Sequence, residues 1–402
     1  MHPKNRYGAI WLYNNNTLVY TIMRKIMNRM LAAILICGPG MFISCSNNDN
    51  VTPAPTPVLE SFDASKYALT DLHLHLDGSL SLDDAIHMAA IEGVDIPSGR
   101  NEIKKLLVCP DNCESLNDYL KCFDSPVKMM QSRETIAYSV SSLVQRLYAQ
   151  GLIYAEIRYA PQLHLQKGLT QDEVVAASIE GLKAGLAACS NGIKAQLILC
   201  CIRRADNDEL NNETIRMAKK YLGQGVCAAD LAGAEALFPT SKYRELFAYA
   251  KELGVPFTIH AGEADGVESM RLAIEYGAQR IGHGIRSWND NDMKALLIQK
   301  DICLTLCPSS NLQTKAIVDG VANMSLYPLQ AFLSAGVPVC INTDNMTVSN
   351  TTVAQELQKL YDAGILTAEQ AKLMVRNAIR HAFLNEAEKE ELLQLAEHRM
   401  NL

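Results

Sequence analysis

Short apolar runs recur along the chain, and each ends at a polar residue or a glycine. Stretches with helical periodicity lie between them, for example 173–188, 241–253 and 292–300. Near-continuous apolar strands that alternate with helices indicate a parallel sheet covered on both faces. Eight such units predict an α/β fold of the (β/α)8 TIM barrel type, whose reactive groups gather at the carboxyl ends of the strands. The apolar runs are residues 68–76, 152–160, 194–202, 226–233, 256–263, 279–285, 302–310 and 338–345.

The interval between the first and second runs is about 75 residues, more than one crossover needs. Ser81 and Asp84 form a predicted capping box that begins a helix through Ala90. Two further helix patterns follow at 115–130 and 135–149. We expect these extra helices, inserted after the first strand, to cover the mouth of the barrel. A doubly wound open sheet is the alternative, but it does not explain eight units, and the sequence has no glycine-rich phosphate loop.

The first 65 residues differ from the rest of the chain. An apolar run at 30–43 follows several basic residues; it is too short and interrupted to span a bilayer but is typical of a secretory signal. It ends at Phe42-Ile43-Ser44-Cys45, which resembles the lipobox of bacterial lipoproteins. We therefore expect a lipoprotein-type signal at 1–45, a flexible tether at 46–65 and one barrel domain at 66–402. The protein would be exported and membrane-anchored only through this lipid; if the run is accidental, the protein is cytoplasmic.

Composition narrows the function classes. The net charge is −7 and no basic stretch stands out, so no nucleic-acid partner is expected. Most cysteines after Cys45 lie inside apolar runs, which favours buried thiols over a disulfide framework. Cys109 and Cys113 lie in a loop-like segment, where pairing stays open. Cysteine-ligated zinc is not expected because the sequence contains no Cys-x-x-Cys pair. The oligomeric state is left open.

Metal-binding side chains are concentrated at the predicted strand ends. Side chains alternate along a strand, so His73 and His75 project to the same side of the first strand. An isolated pair of this kind is more often two polar residues at a frayed strand end. His260 and Asp344 end later strands and complete a set of three nitrogen ligands and one oxygen ligand for zinc or a similar divalent cation. Such a cation lowers the pKa of a bound water towards about 7.

Two further strand-end residues can move protons near this set. His283 lies between two glycines that allow close approach, and it can act on the attacking water as a base or an electrostatic stabiliser. Glu263 follows His260 by three residues, near the metal ligands but outside their shell, as a general acid would be. Alone, each could be a turn residue or an acid in the first turn of a helix. Their order on eight strands favours a hydrolytic site.

From residue 68 onwards the chain resembles the adenosine deaminase family, a metal-dependent branch of the amidohydrolase barrels. The matching strings are colinear: TDLHLHLDGS, SLNDYLKCFD, AEIRYAPQ, DLAGAE, HAGEADG, RIGHGI, LCPSSN and INTDN. The resemblance implies hydrolysis of adenosine and 2′-deoxyadenosine to inosine and 2′-deoxyinosine with release of ammonia. It implies that Glu263 protonates the purine N1 and that His283 acts on the attacking hydroxide. It also implies one zinc ion per chain, bound by His73, His75, His260 and Asp344.

The resemblance also assigns substrate contacts. Gly233 matches a backbone position that meets the purine N3, and Asp77 matches a residue that contacts the ribose. Asn345 stands where animal members carry an aspartate that contacts N7, and its amide can donate a hydrogen bond at any pH. Three residues match a hydrophobic lid over the site: Leu116, Tyr119 and Phe123.

Two alternative functions are compatible with the sequence. The first is a deaminase of another 6-aminopurine, such as adenine or a modified adenosine. Asp77 argues against free adenine, because the related adenine deaminases tend to carry glutamate at that position. A phosphorylated substrate is not expected, since no basic cluster is present to receive it. The second alternative is a non-catalytic nucleoside-binding lipoprotein, which would be expected to lose a ligand or the acid, and this sequence retains all of them.

Overall fold

Eight parallel strands form the centre of the computed structural model, which describes residues 62–317 and 323–400. Each strand pairs with the next one in chain order, in two four-stranded sheets made of the first four and the last four strands. The strands are β1 (Leu69–His75), β2 (Leu152–Tyr159), β3 (Lys194–Arg203), β4 (Val226–Gly233), β5 (Thr258–Ala261), β6 (Arg280–His283), β7 (Cys303–Leu306) and β8 (Val339–Ile341).

Single bridges join the two sheets at both seams. Ala229 in β4 pairs with Phe257 just before β5, and Leu74 in β1 pairs with Asp344 just after β8. The Asp344 N–H donates to the His73 carbonyl at 2.8 Å, and the His75 N–H donates to the Asp344 carbonyl at 2.7 Å. These bonds place the end of β8 beside the end of β1, which is the arrangement predicted for a (β/α)8 barrel.

Helices cover the outside of the strands because their apolar faces pack on the apolar strand residues. The three helices predicted at 173–188, 241–253 and 292–300 are present within one to three residues of those bounds. In the described residues the helices are α1 (Leu82–Glu92), α2 (Arg100–Leu107), α3 (Leu116–Leu120), α4 (Asp124–Lys128), α5 (Arg133–Ala149), α6 (Gln171–Ala188), α7 (Asp208–Tyr221), α8 (Arg244–Glu252), α9 (Val267–Tyr276), α10 (Asn291–Gln299), α11 (Pro308–Gln313), α12 (Leu329–Leu333), α13 (Val353–Asp362), α14 (Ala368–Arg380) and α15 (Glu386–Arg399).

The insertion between β1 and β2 contains α1 to α5. The predicted capping box is present: Ser81 and Asp84 bond each other's backbone N–H at the start of α1. The single helix predicted at 115–130 is wrong, because a 3-10 turn at Lys121–Phe123 separates α3 from α4. Pro126 explains the break, since proline has no N–H to donate and is tolerated only in the first turn of a new helix. Helix α2 was not predicted.

The N-terminal segment lies largely outside the described residues, which include neither the predicted signal at 1–45 nor residues 46–61 of the predicted tether. Residues 62–65 were expected to belong to that tether, but they pack on the barrel. Phe62 stacks on Tyr361 with ring centroids 4.3 Å apart, and Ala64 is buried in a short 3-10 helix. No helix among the described residues is both long and apolar enough to cross a membrane.

The ten cysteines of the described part of the chain are all buried free thiols. Cys109 and Cys113 are among them, so the pairing that the sequence left open does not occur in this structure.

Candidate active site

Three imidazoles and one carboxylate converge at the carboxyl end of the barrel. The Nε2 atom of His260 lies 2.9 Å from Nε2 of His73 and 3.2 Å from Nε2 of His75. Oδ1 of Asp344 lies 3.4 Å from the Nε2 atoms of His73 and His75. Among the described residues, these four side chains form the group whose ligand atoms all lie close enough to share one metal ion. The structure thus brings together the four predicted ligands.

The hydrogen bonds made by the Nδ1 atoms of two of these imidazoles leave their Nε2 atoms free to bind a cation. Nδ1 of His260 lies 3.0 Å from an oxygen of Asp230, and Nδ1 of His73 lies 2.9 Å from Thr305 Oγ1, whose own hydroxyl donates to a backbone carbonyl. The Nδ1 atoms of His73 and His260 therefore carry the proton, and the Nε2 atoms of these two rings turn a lone pair towards the centre of the group. Burial lowers the pKa of His73 well below its ordinary value and that of His75 to about 3. Neutral imidazoles with facing lone pairs are a suitable donor set for zinc.

Asp230 and Ser310 hold two of the ligands in place. Asp230 also accepts from Arg158 at 2.8 Å. Burial alone would raise the pKa of Asp230, but His260 and Arg158 lower it below its usual value. The Ser310 hydroxyl donates to Oδ2 of Asp344 at 2.6 Å, which leaves Oδ1 facing the imidazoles. Outer partners of this kind orient metal ligands and preserve their basicity.

The backbone is unusual where β6 and β8 end. His283 has φ of 60° and Asp344 has φ of 59°, both in the left-handed region that non-glycine residues rarely adopt. Such positions cost of order 1 kcal/mol each and persist where the surroundings enforce them. Gly282 is required for a different reason, because a Cβ atom there would lie 2.9 Å from the His73 ring and 3.2 Å from the His260 backbone.

Glu263 and His283 lie beside the imidazole group. Oε2 of Glu263 is 3.5 Å from Nε2 of His283, and the Thr314 hydroxyl donates to Oε1 of Glu263 at 3.2 Å. Burial raises the pKa of Glu263 well above its ordinary value, and the charges of Asp344 and Glu235 raise it further. Burial lowers the pKa of His283 to about 4. This environment therefore favours the protonated form of the Glu263 carboxyl group, next to the neutral form of the His283 imidazole.

A cavity of about 410 Å³ opens over these groups, and its walls include every predicted substrate contact. Oδ1 of Asp77 and Oδ1 of Asn345 are buried there without a hydrogen-bond partner among the described residues. Buried polar atoms are seldom left unpaired, so the Asp77 oxygen, an acceptor in the cavity wall, indicates a ligand with hydrogen-bond donors. The predicted contacts that line the cavity are Asp77, Gly233, Asn345, Leu116, Tyr119 and Phe123.

Helix α11 supplies hydrogen-bond partners of the site residues, and these partners were not predicted from the sequence. Besides Ser310, it carries Asn311, whose amide lies 3.0 Å from Nδ1 of His283, and it is followed by Thr314. The string LCPSSN was noted, but no rule of spacing connects it to residues on other strands. Glu235 was also missed, although it ends the string DLAGAE. Their partners became visible only once the strand ends were placed side by side.

A parallel barrel with three imidazoles and a carboxylate at its carboxyl end is typical of the metal-dependent amidohydrolases. Comparison with known proteins narrows this class. The family model described as "Adenosine deaminase" matches residues 68–398. An adenosine deaminase of Haemophilus ducreyi is 48% identical over 333 residues, covering 82% of this chain and 95% of that protein. The chain belongs to the adenosine deaminase family.

Solved structures show the same fold. The adenine deaminase of Arthrobacter aurescens superposes with a TM-score of 0.74 at 24% identity, covering 84% of this chain and 100% of that one. An amidohydrolase of Burkholderia ambifaria with bound zinc gives a TM-score of 0.76 at 17% identity, covering 84% of this chain and 92% of its own. At these identities the likeness concerns the fold alone, and it confirms the predicted barrel class.

Proposed function

We propose that this protein is a zinc-dependent hydrolase that converts adenosine and 2′-deoxyadenosine to inosine and 2′-deoxyinosine with release of ammonia. The observation that carries the proposal is the buried Glu263 carboxyl group, whose pKa is raised, in one cavity with the imidazole–carboxylate group. Membership of the adenosine deaminase family supports the reaction class, and so does the name of the relative at 48% identity.

The metal ligands in this proposal are His73, His75, His260 and Asp344, which together would hold one zinc ion per chain. Zinc held there would supply a hydroxide nucleophile at neutral pH by lowering the pKa of water. The Burkholderia ambifaria amidohydrolase, which shares the fold, is described with bound zinc.

Glu263 would act as the acid. Attack of oxygen at C6 of the purine moves electron density onto N1, so a proton delivered to N1 at that moment lowers the barrier. A protonated carboxyl group can deliver it, and burial favours that form of Glu263. His283 would hold the attacking oxygen by donating a hydrogen bond from its Nε2–H, since its Nδ1 accepts from the Asn311 amide.

The proposed substrate contacts are made by residues that line the cavity. Asp77 would accept hydrogen bonds from the ribose hydroxyls, Asn345 would meet N7, and the backbone at Gly233 would meet N3. The cavity walls are largely apolar on the side of the insertion, where Leu116, Tyr119 and Phe123 would cover the base and exclude water.

The alternative within this class is free adenine, which is the substrate named for the Arthrobacter aurescens neighbour. Asp77 favours a nucleoside, because an unpaired buried carboxylate oxygen in the cavity wall has no partner on free adenine at the ribose position. A modified adenosine with a larger 5′ group remains a second alternative, which a substrate panel distinguishes.

Removal of the metal tests the reaction class. We expect dialysis against a chelator to abolish the deamination of adenosine, measured as the change in purine absorbance, and we expect zinc to restore it. Full activity of a protein shown by metal analysis to contain no metal would contradict the proposal.

The proposal includes export and a lipid anchor at Cys45. This part of the proposal rests on the sequence of residues 30–45 alone. Cell fractionation tests it: recovery of the full-length protein in the cytoplasm, without a lipid on Cys45, would contradict it.

A further inference from the structure

Four consecutive backbone N–H groups of the loop after β5 point at one buried carboxylate, that of Glu235. Oε1 accepts from the Gly262 N–H at 2.8 Å. Oε2 accepts from the N–H groups of Glu263, Ala264 and Asp265 at 3.0, 2.7 and 3.0 Å. Successive N–H groups that face one way form a concave anion site, and here the anion belongs to the protein itself. Glu235 is only 1% exposed, so it is not available to solvent ligands.

The loop needs such a partner because its backbone is sharply bent. Gly262 has φ of +72°, and a Cβ atom at this position would lie 2.6 Å from Met270 Sδ. The bend turns the next N–H groups inwards, where Glu235 receives them. Glu263 is the second residue of this bent segment. The position of its side chain therefore depends on the same hydrogen bonds.

Glu235 is itself firmly held. The Ser269 hydroxyl donates to its Oε1 at 2.6 Å, Ser269 Oγ lies 2.7 Å from Thr240 Oγ1, and Arg203 donates to Thr240 at 2.9 Å. Burial alone would raise the pKa of Glu235, but the charge of Arg203 and the hydrogen bonds from Ser269 and the loop keep it below its usual value. At neutral pH this carboxylate is ionised, whereas burial favours the protonated form of Glu263.

We infer that Glu235 is a positioning residue for the deamination: its carboxylate fixes the loop backbone from which Glu263 reaches the purine N1. The inference rests on the proposed function. Glu235 acts through Glu263 and through no contact with substrate. A displaced Glu263 would still allow the nucleoside to bind but would transfer the proton less well, so the effect falls on kcat and leaves KM in place.

Glu235→Gln tests this inference, because glutamine has nearly the same volume but only one oxygen to accept hydrogen bonds. We expect kcat for adenosine to fall about 10- to 100-fold, with KM and zinc content unchanged within about twofold. Ser269→Ala retains the carboxylate and removes one hydrogen-bond donor to it. We expect a smaller fall in kcat for this variant, again with KM unchanged.

Two matched control variants distinguish an effect on the position of Glu263 from a general loss of protein stability. Glu156 is another fully buried carboxylate, paired with Arg280 at the amino end of β6. Ser178 is another buried serine, bonded to Tyr159. We expect Glu156→Gln to lower the melting temperature without changing kcat, and Ser178→Ala to leave kcat unchanged. Hydrogen exchange supplies a readout besides activity: the amides of 262–265 should exchange faster in Glu235→Gln than in Glu156→Gln.

Several results would overturn the inference. They are a wild-type kcat in Glu235→Gln, an equal loss of kcat in Glu156→Gln, or a loss that follows zinc content. If Glu235→Gln does not fold, a wild-type kcat in Ser269→Ala overturns it. A wild-type protein that does not deaminate adenosine refutes the proposed function instead, and the exchange rates of 262–265 then still decide whether Glu235 holds the loop.

Discussion

Glu263 combines burial, a fixed backbone and a raised pKa in one side chain. It is 4% exposed, and the Thr314 hydroxyl donates to one of its oxygens. An ionised carboxylate in its place could not protonate N1, and a solvent-exposed carboxyl group would be ionised at neutral pH. The environment of Glu263 therefore decides its chemistry.

The Glu263→Gln variant separates binding from proton transfer. We expect turnover of adenosine to fall by roughly 10²- to 10⁴-fold, because the amide has no acidic proton to deliver. Zinc content and nucleoside affinity should stay close to wild type, since the four ligands and the cavity are intact. Steady-state kinetics with metal analysis measures all three quantities, and wild-type turnover would refute the assigned role.

Asp77→Ala tests the ribose contact. Losing a hydrogen bond to a charged group costs about 1.5–3 kcal/mol, so we expect kcat/KM for adenosine to fall roughly 10- to 100-fold. Any activity towards free adenine should change much less, because adenine has no ribose. Equal losses for both compounds would show that Asp77 acts on something other than the sugar.

The identities of the site residues could be predicted from the sequence better than their backbone conformations and hydrogen bonds. His73 and His75 were recognisable because a strand places alternate residues on one face. The left-handed backbone of His283 and Asp344 was not predictable, since such positions favour glycine and are enforced here by the surrounding barrel. Asp230 lies within the predicted run 226–233, but its bond to His260 depends on how two neighbouring strands pack.

Among the elements, strands were predicted most reliably. A strand buried on both faces must be apolar almost throughout, and all eight strands lie within the predicted runs or within one residue of them. The insertion was harder because its helices are short and partly exposed. Helix α2 (Arg100–Leu107) has only eight residues, fewer than the roughly 11 over which helical periodicity becomes a reliable signal.

Several hydrogen bonds tie the insertion to the loop after β8, and two of them come from residues beyond α1. The Cys109 N–H donates to the Val348 carbonyl at 2.8 Å, and the Tyr119 hydroxyl lies 2.6 Å from Ser349 Oγ. Tyr119 also lines the cavity. These contacts make the insertion a cover that is fixed at its edge.

Tyr119→Phe removes one of these ties. We expect KM for adenosine to rise about fivefold, equivalent to the roughly 1 kcal/mol net worth of a hydrogen bond, with a smaller change in kcat. The matched control is Tyr361→Phe, whose ring stacks on Phe62 outside the lining of the cavity. A change in KM of the same size in both variants would contradict a specific role for the Tyr119 hydroxyl.

At the scale of the whole molecule, a buried ion pair that stabilises the barrel and the residues of the candidate active site lie at opposite ends of the strands. The buried ion pair of Glu156 and Arg280 lies towards the amino end of β6, where Arg280 also donates to the His381 carbonyl. The imidazole group, Glu263 and the cavity lie at the carboxyl ends of the strands. This division is usual for (β/α)8 barrels, and it allows the catalytic end to hold strained backbone and unpaired polar atoms.

Initial-rate assays with adenosine, 2′-deoxyadenosine and adenine, run on purified protein of measured zinc content, test the central claim most directly. We expect about one zinc per chain and a kcat/KM for both nucleosides roughly 100-fold or more above that for adenine, because adenine leaves Asp77 unpaired. A zinc-loaded protein that turns over neither nucleoside, or that prefers adenine, would contradict the claim.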